Sequence, residues 1–117
     1  MIDLQSLFNK VYLGLAAQGF NQSQSKEYGE VNCLYRGPNG LKCAIGQIIP
    51  DEEYKSDMEE NNVINLEWAK ARFKLSELIV LQELQHLHDN YCHEQMQEQL
   101  QIFAKNYGLT VPEIPGV

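Results

Sequence analysis

The chain has 117 residues, of which 44% are hydrophobic and 21% charged. These proportions exclude disorder across the body and give room for one core rather than two. The net charge of −7 argues against direct nucleic-acid binding, which needs Lys and Arg in number along the phosphates.

The first segment has the rhythm of a helix. Leu4, Leu7, Phe8, Val11, Tyr12 and Leu15 recur at the i, i+3, i+4 spacing of one buried stripe. Asp3 is placed to cap its start, and Gly19 can take the left-handed position that ends it. The polar run 21–26 reads as a mobile surface loop.

A β-hairpin is predicted next, with Val31–Arg36 and Leu41–Ile45 flanking Gly37-Pro38-Asn39-Gly40. Pro38 suits a type I turn, and Gly40 suits the left-handed residue after it. This register puts Val31, Cys33, Tyr35, Leu41, Cys43 and Ile45 on one face. A lone hairpin is marginal in water, so it is expected to pack on helices. Ile48-Ile49-Pro50 then leads into a short acidic helix, where proline and acids suit the first turn.

Leu66, Ala69 and Phe73 suggest a helical stretch broken near Ser76, and Leu78, Leu81, Leu84, Leu87, His88 and Tyr91 a stronger one. In the last helix Met96, Leu100, Phe103, Ala104 and Tyr107 share a side, with Gly108 as its cap and Leu109 making the accompanying contact. The expected class is α+β: a mostly helical single domain over 1–110, about four helices with one hairpin packed on them. Residues 111–117, with Pro112 and Pro115, form an extended, loose tail.

No run approaches the length of about 20 apolar residues that spans a bilayer. Met1-Ile2-Asp3-Leu4-Gln5 also lacks the basic and apolar regions of a signal peptide. A cytoplasmic protein is expected. Its three cysteines, Cys33, Cys43 and Cys92, are then thiols rather than a disulfide framework.

Four constellations carry potential chemistry or contact. Zinc could be held by Cys33, Cys43, His88 and Cys92, since His88 and Cys92 are four apart and would share a helix face. Against this, nine residues separate Cys33 from Cys43, unlike the short knuckle of structural zinc. Core packing of the cysteines is favoured, and no cofactor is expected. Thiol catalysis through Cys43 or Cys33 with His88 is weaker still, because Asp89 diverges from its neighbour and cannot orient it. Arg36 and Lys42 could grip a carboxylate or phosphate, although decoration of an edge strand explains them as well. Trp68 beside Lys70, Arg72 and Lys74 suggests a small contact patch, with partial burial in the core the favoured reading.

The charges are uneven. Asp51, Glu52, Glu53, Asp57, Glu59 and Glu60 face one Lys55, and 75–101 carries acids without Lys or Arg. Such runs could steer the chain toward a basic partner, or simply keep it soluble.

The stretch Cys33-Leu34-Tyr35-Arg36-Gly37-Pro38-Asn39-Gly40-Leu41-Lys42-Cys43-Ala44-Ile45-Gly46 is distinctive, as are Ile49-Pro50-Asp51-Glu52-Glu53-Tyr54 and Met58-Glu59. It resembles a family of small uncharacterised proteins of bacteriophages, prophages and neighbouring bacterial genomes. The similarity extends to Leu81-Gln82, His88-Asp89 and the final helix, so it covers most of the chain. It brings no activity or catalytic residue. It implies a non-enzymatic accessory protein in the cytoplasm of a bacterial host. Its expected act is binding a host protein, as an inhibitor of a defence or regulatory system. The acidic runs Asp51–Glu60 and Glu77–Glu98, with Arg36 and Lys42, are then the expected contact surfaces. Alternatives are a zinc- or thiol-dependent protein, and a sequestering protein for a nucleotide-like signal with Arg36, Lys42 or Arg72 lining a pocket. Whether the chain is a monomer or a homo-oligomer is left open.

Overall fold

The computed structural model describes residues 3–21, 24–27, 30–37, 40–60, 63–90 and 93–114. Helix α1 (Leu4–Ala17) begins where expected. The Asp3 carboxylate accepts the Gln5 N–H at 3.1 Å and the Ser6 hydroxyl at 2.8 Å, satisfying an end that the helix itself leaves open. Its stripe of Phe8, Val11, Tyr12 and Leu15 is buried. At the far end Gly19 has φ 67°. The Phe20 N–H returns to the Leu15 carbonyl at 2.8 Å and the Gly19 N–H to Ala16 at 2.9 Å, the paired bonds of a left-handed helix stop.

Helices α2 (Glu67–Lys70), α3 (Leu75–Asn90) and α4 (His93–Asn106) follow after a run of short 3₁₀ turns at Asp51–Glu53, Ser56–Glu60 and Val63–Asn65. α4 packs against both α1 and α3. The Phe8 ring stacks on Tyr12 at 5.6 Å and on Phe103 at 5.9 Å, and Phe20 meets Tyr12 edge-on. Leu81, Leu84, Met96 and Leu100 close the core around them, each such side chain stabilising by about 1.5–3 kcal/mol through burial. Gly108 has φ 67°, and the Leu109 N–H reaches the Ala104 carbonyl at 2.7 Å, so α4 stops as α1 does. The chain is tethered just before the tail expected to be loose, whose last residues, 115–117, lie outside the described residues. The Gln5 side-chain amide exchanges two hydrogen bonds with the Thr110 backbone, at 2.7 and 2.8 Å. Val111 and Ile114 pack on the core.

The expected hairpin is not formed. Its two arms meet at an isolated bridge, Arg36 opposite Lys42, with the Gly37 N–H on the Leu41 carbonyl at 2.8 Å. Pro38 and Asn39 of the expected turn lie outside the described residues. From Cys43 the chain coils, with Gln47 N–H to the Cys43 carbonyl and Ile48 N–H to the Ile45 carbonyl. Strand pairing lies earlier, between the segment read as a loop and the start of the first predicted arm. There β1 (Gln24–Glu27) runs antiparallel to β2 (Glu30–Cys33) with Gln24 opposite Cys33. This short ribbon is not the predicted hairpin, so the α+β assignment gives way to a mostly helical fold.

The reason lies in the run after the bridge. Cys43, Ala44, Ile45, Gly46, Ile48 and Ile49 are all buried, whereas a strand covering one face of a helical layer would bury every second residue. A coil inserted into the core buries them all. Gly46 permits it, since a Cβ there would lie 2.1 Å from the Tyr35 carbonyl oxygen. Among the described residues, no helix is long and apolar enough to cross a membrane.

Candidate binding groove

The acids of Asp51–Glu60 separate into those that hold the fold and those that face outward. Glu59 belongs to the first group. Its carboxylate accepts the backbone N–H of Tyr35 at 2.8 Å, that of Arg36 at 3.0 Å and the Tyr54 hydroxyl at 2.6 Å. The acidic segment is thereby stapled to the bridge region. Burial and this bond to Glu59 push the Tyr54 hydroxyl up to about 12.

Arg36 is similarly engaged. Its guanidinium pairs with Asp51, donates to the Ile49 carbonyl at 2.6 Å and lies 5.1 Å from the centre of the Tyr54 ring. Lys42 approaches the same Asp51 at 3.8 Å. The Arg36 guanidinium, by hydrogen bond and by charge, holds the Asp51 carboxyl below its ordinary range, with help from Lys42. These two cations therefore already have an anion, the one supplied by this chain.

The outward group lines a groove of about 750 Å³ between the 3₁₀ turns and α2. Glu52, Glu53, Asp57 and Glu67 contribute carboxylates, against Lys55 and Arg72. Met58, Leu66, Trp68 and Ala71 add apolar surface. The Glu60 side chain lies outside the described residues.

One wall is a triangle of side chains from two separate segments. The Trp68 indole N–H donates to Glu53 Oε1 at 2.9 Å, and Arg72 pairs with that same oxygen. Arg72 also lies 4.7 Å from the centre of the indole ring and donates to the Trp68 carbonyl at 2.9 Å. Phe73 supports the ring from 6.0 Å. A cation over an indole face is attracted by the ring quadrupole, and the shared carboxylate adds charge from the side. A second furrow of about 540 Å³, lined by Ser6, Lys10 and Pro50 among others, includes the same three residues. The triangle is thus a ridge between two concave surfaces.

Of the expected Trp68 patch, only part assembles. Arg72 stacks on the ring, but Lys70 pairs with Glu67 at 3.5 Å, and the Lys74 backbone N–H donates to Glu77 at 2.8 Å. Glu67, Met58, Leu66 and Lys55 were not among the contact residues expected from sequence. The signal available was the i, i+4 spacing of Trp68 and Arg72, whereas Glu53 has no sequence relation to either.

Of the metal candidates, Cys43 and His88 are fully buried. Cys43 Sγ accepts the Gly46 N–H at 3.2 Å, as expected of a thiol in the core. Cys92 and the Cys33 side chain lie outside the described residues. Among the described residues, no group of three or more His, Cys, Asp or Glu is placed to hold a metal ion.

No family model, no curated protein and no solved structure matches the chain.

Proposed function

We propose that the chain is a non-catalytic binding protein that docks on a partner protein through the groove beside Trp68, without a cofactor. The observation that carries this reading is the triangle itself. A half-buried tryptophan is held in one orientation by Glu53 and Arg72 at the border of two concave surfaces. Tryptophan in such a setting is among the residues that dominate protein–protein affinity. An aromatic fixed before binding loses little further entropy on contact. The carboxylates around it outnumber the cations, which favours a partner with a basic surface. The resemblance to small phage and prophage proteins supports a host protein in that role, bound so as to inhibit a defence or regulatory system.

Affinity capture from bacterial lysate tests this with three chains. These are the wild type, the charge reversal Glu52→Lys/Glu67→Lys in the groove, and Ile79→Ser on the exposed side of α3. The expected partner has a basic surface and is held equally by wild type and Ile79→Ser. The groove variant should bind it about tenfold more weakly or worse. Equal retention by the groove variant, or loss with Ile79→Ser, would move the docking face elsewhere.

A further inference from the structure

We infer that Glu53 and Trp68 form an arginine-binding cage that Arg72 fills in this structure, and that a partner's arginine binds by taking the place of Arg72. This rests on the groove being the docking face, and it names what the groove recognises.

The cage has the parts that a guanidinium requires. The indole face supplies the negative end of a quadrupole and Glu53 Oε1 supplies charge. The indole N–H bond to that oxygen at 2.9 Å locks carboxylate and ring together. Arginine suits such a site better than lysine, because its planar, weakly hydrated head stacks and hydrogen-bonds at once. Arg72 demonstrates the fit, with its Cζ 4.7 Å from the ring centre.

Arg72 is held at an exposed edge, its second nitrogen donating to the Trp68 carbonyl at 2.9 Å. It sits in the turn after α2 rather than on a helix, and its side chain is 42% exposed. An ion pair at such a site contributes little net stability, because water and salt screen it. The surrounding carboxylates Glu52, Asp57 and Glu67 attract a cationic segment to the groove. Once there, its arginine competes for a site already shaped for it. Arg72 therefore acts as an occupant in cis, weakening non-specific capture and yielding to a segment that also fills the groove.

The chain has one tryptophan, so its fluorescence reports on the cage directly. The probe is a short Arg-Gly repeat peptide, with the Lys-Gly peptide of equal charge beside it. Arg72→Ala, which alters an exposed side chain, should bind the arginine peptide about tenfold more tightly than wild type, the scale of one cation–ring contact with its carboxylate. The lysine peptide should show no such gain, and Glu53→Gln added to Arg72→Ala should abolish it. Lys105→Ala, on α4, makes the same change in net charge and should bind as wild type does.

The inference is overturned if Arg72→Ala binds no tighter than wild type, if Lys105→Ala gains as much, or if the two peptides gain equally. If partner capture still depends on Glu52 and Glu67 while the arginine gain is absent, the groove reading stands and the cage falls. If both fail, both fall.

Discussion

At the scale of single residues, the acids of one run do different work, and their surroundings decide which. Glu59 and Glu52 look alike in sequence. Glu59 accepts three hydrogen bonds within this chain, whereas Glu52 lines the groove and is exposed. Glu59→Ala would leave two backbone N–H groups and the Tyr54 hydroxyl without their acceptor. Its expected cost is about 3 kcal/mol in urea unfolding, because bonds to a charged acceptor are the stronger ones and partly buried donors are costly to orphan. The pH dependence gives a second readout. Tyr54 binds its proton more tightly in the folded chain, at about 12 against an ordinary 10.0. That contribution is full below pH 10 and is lost as pH rises toward 12. In Glu59→Ala this alkaline loss should shrink, since burial would remain as the main cause holding the proton.

At the scale of elements, α1 and the end of α4 were legible because their signals are local. A stripe at helical spacing, Asp3 before it and a glycine after it are enough. The predicted hairpin failed for a reason that alternation cannot expose. Tyr35, Cys43 and Ile45 are buried as a strand pair would have them. The residues between, Ala44 and Gly46, are buried as well, and only tertiary packing reveals that. The groove was half legible for the same reason. Acids and Trp68 stood out by type, but the bond from Trp68 to Glu53 joins segments with no shared period. The coil makes its own prediction. Gly46→Ala should destabilise the chain by about 2–3 kcal/mol, since its methyl group meets backbone rather than a yielding side chain and overpacking has that scale. Thermal unfolding of the variant measures it, and an unchanged midpoint would mean that the coil does not pack on Tyr35 as described.

At the scale of the whole molecule, the net charge of −7 favours long-range attraction of a basic partner, and the proposed docking groove would give that attraction a place to end. Helices α1, α3 and α4 carry much of the core, while the proposed contact surface lies on the short turns and α2. Connecting segments commonly carry function on a scaffold that positions them. The most direct test is hydrogen–deuterium exchange of the chain with and without the captured partner. Protection is expected to concentrate in 52–58 and 66–72, with the exposed side of α3 around Leu75 and Ile79 unchanged. Protection on that side of α3, with 52–58 and 66–72 exchanging as in the free chain, would contradict the groove as the docking face.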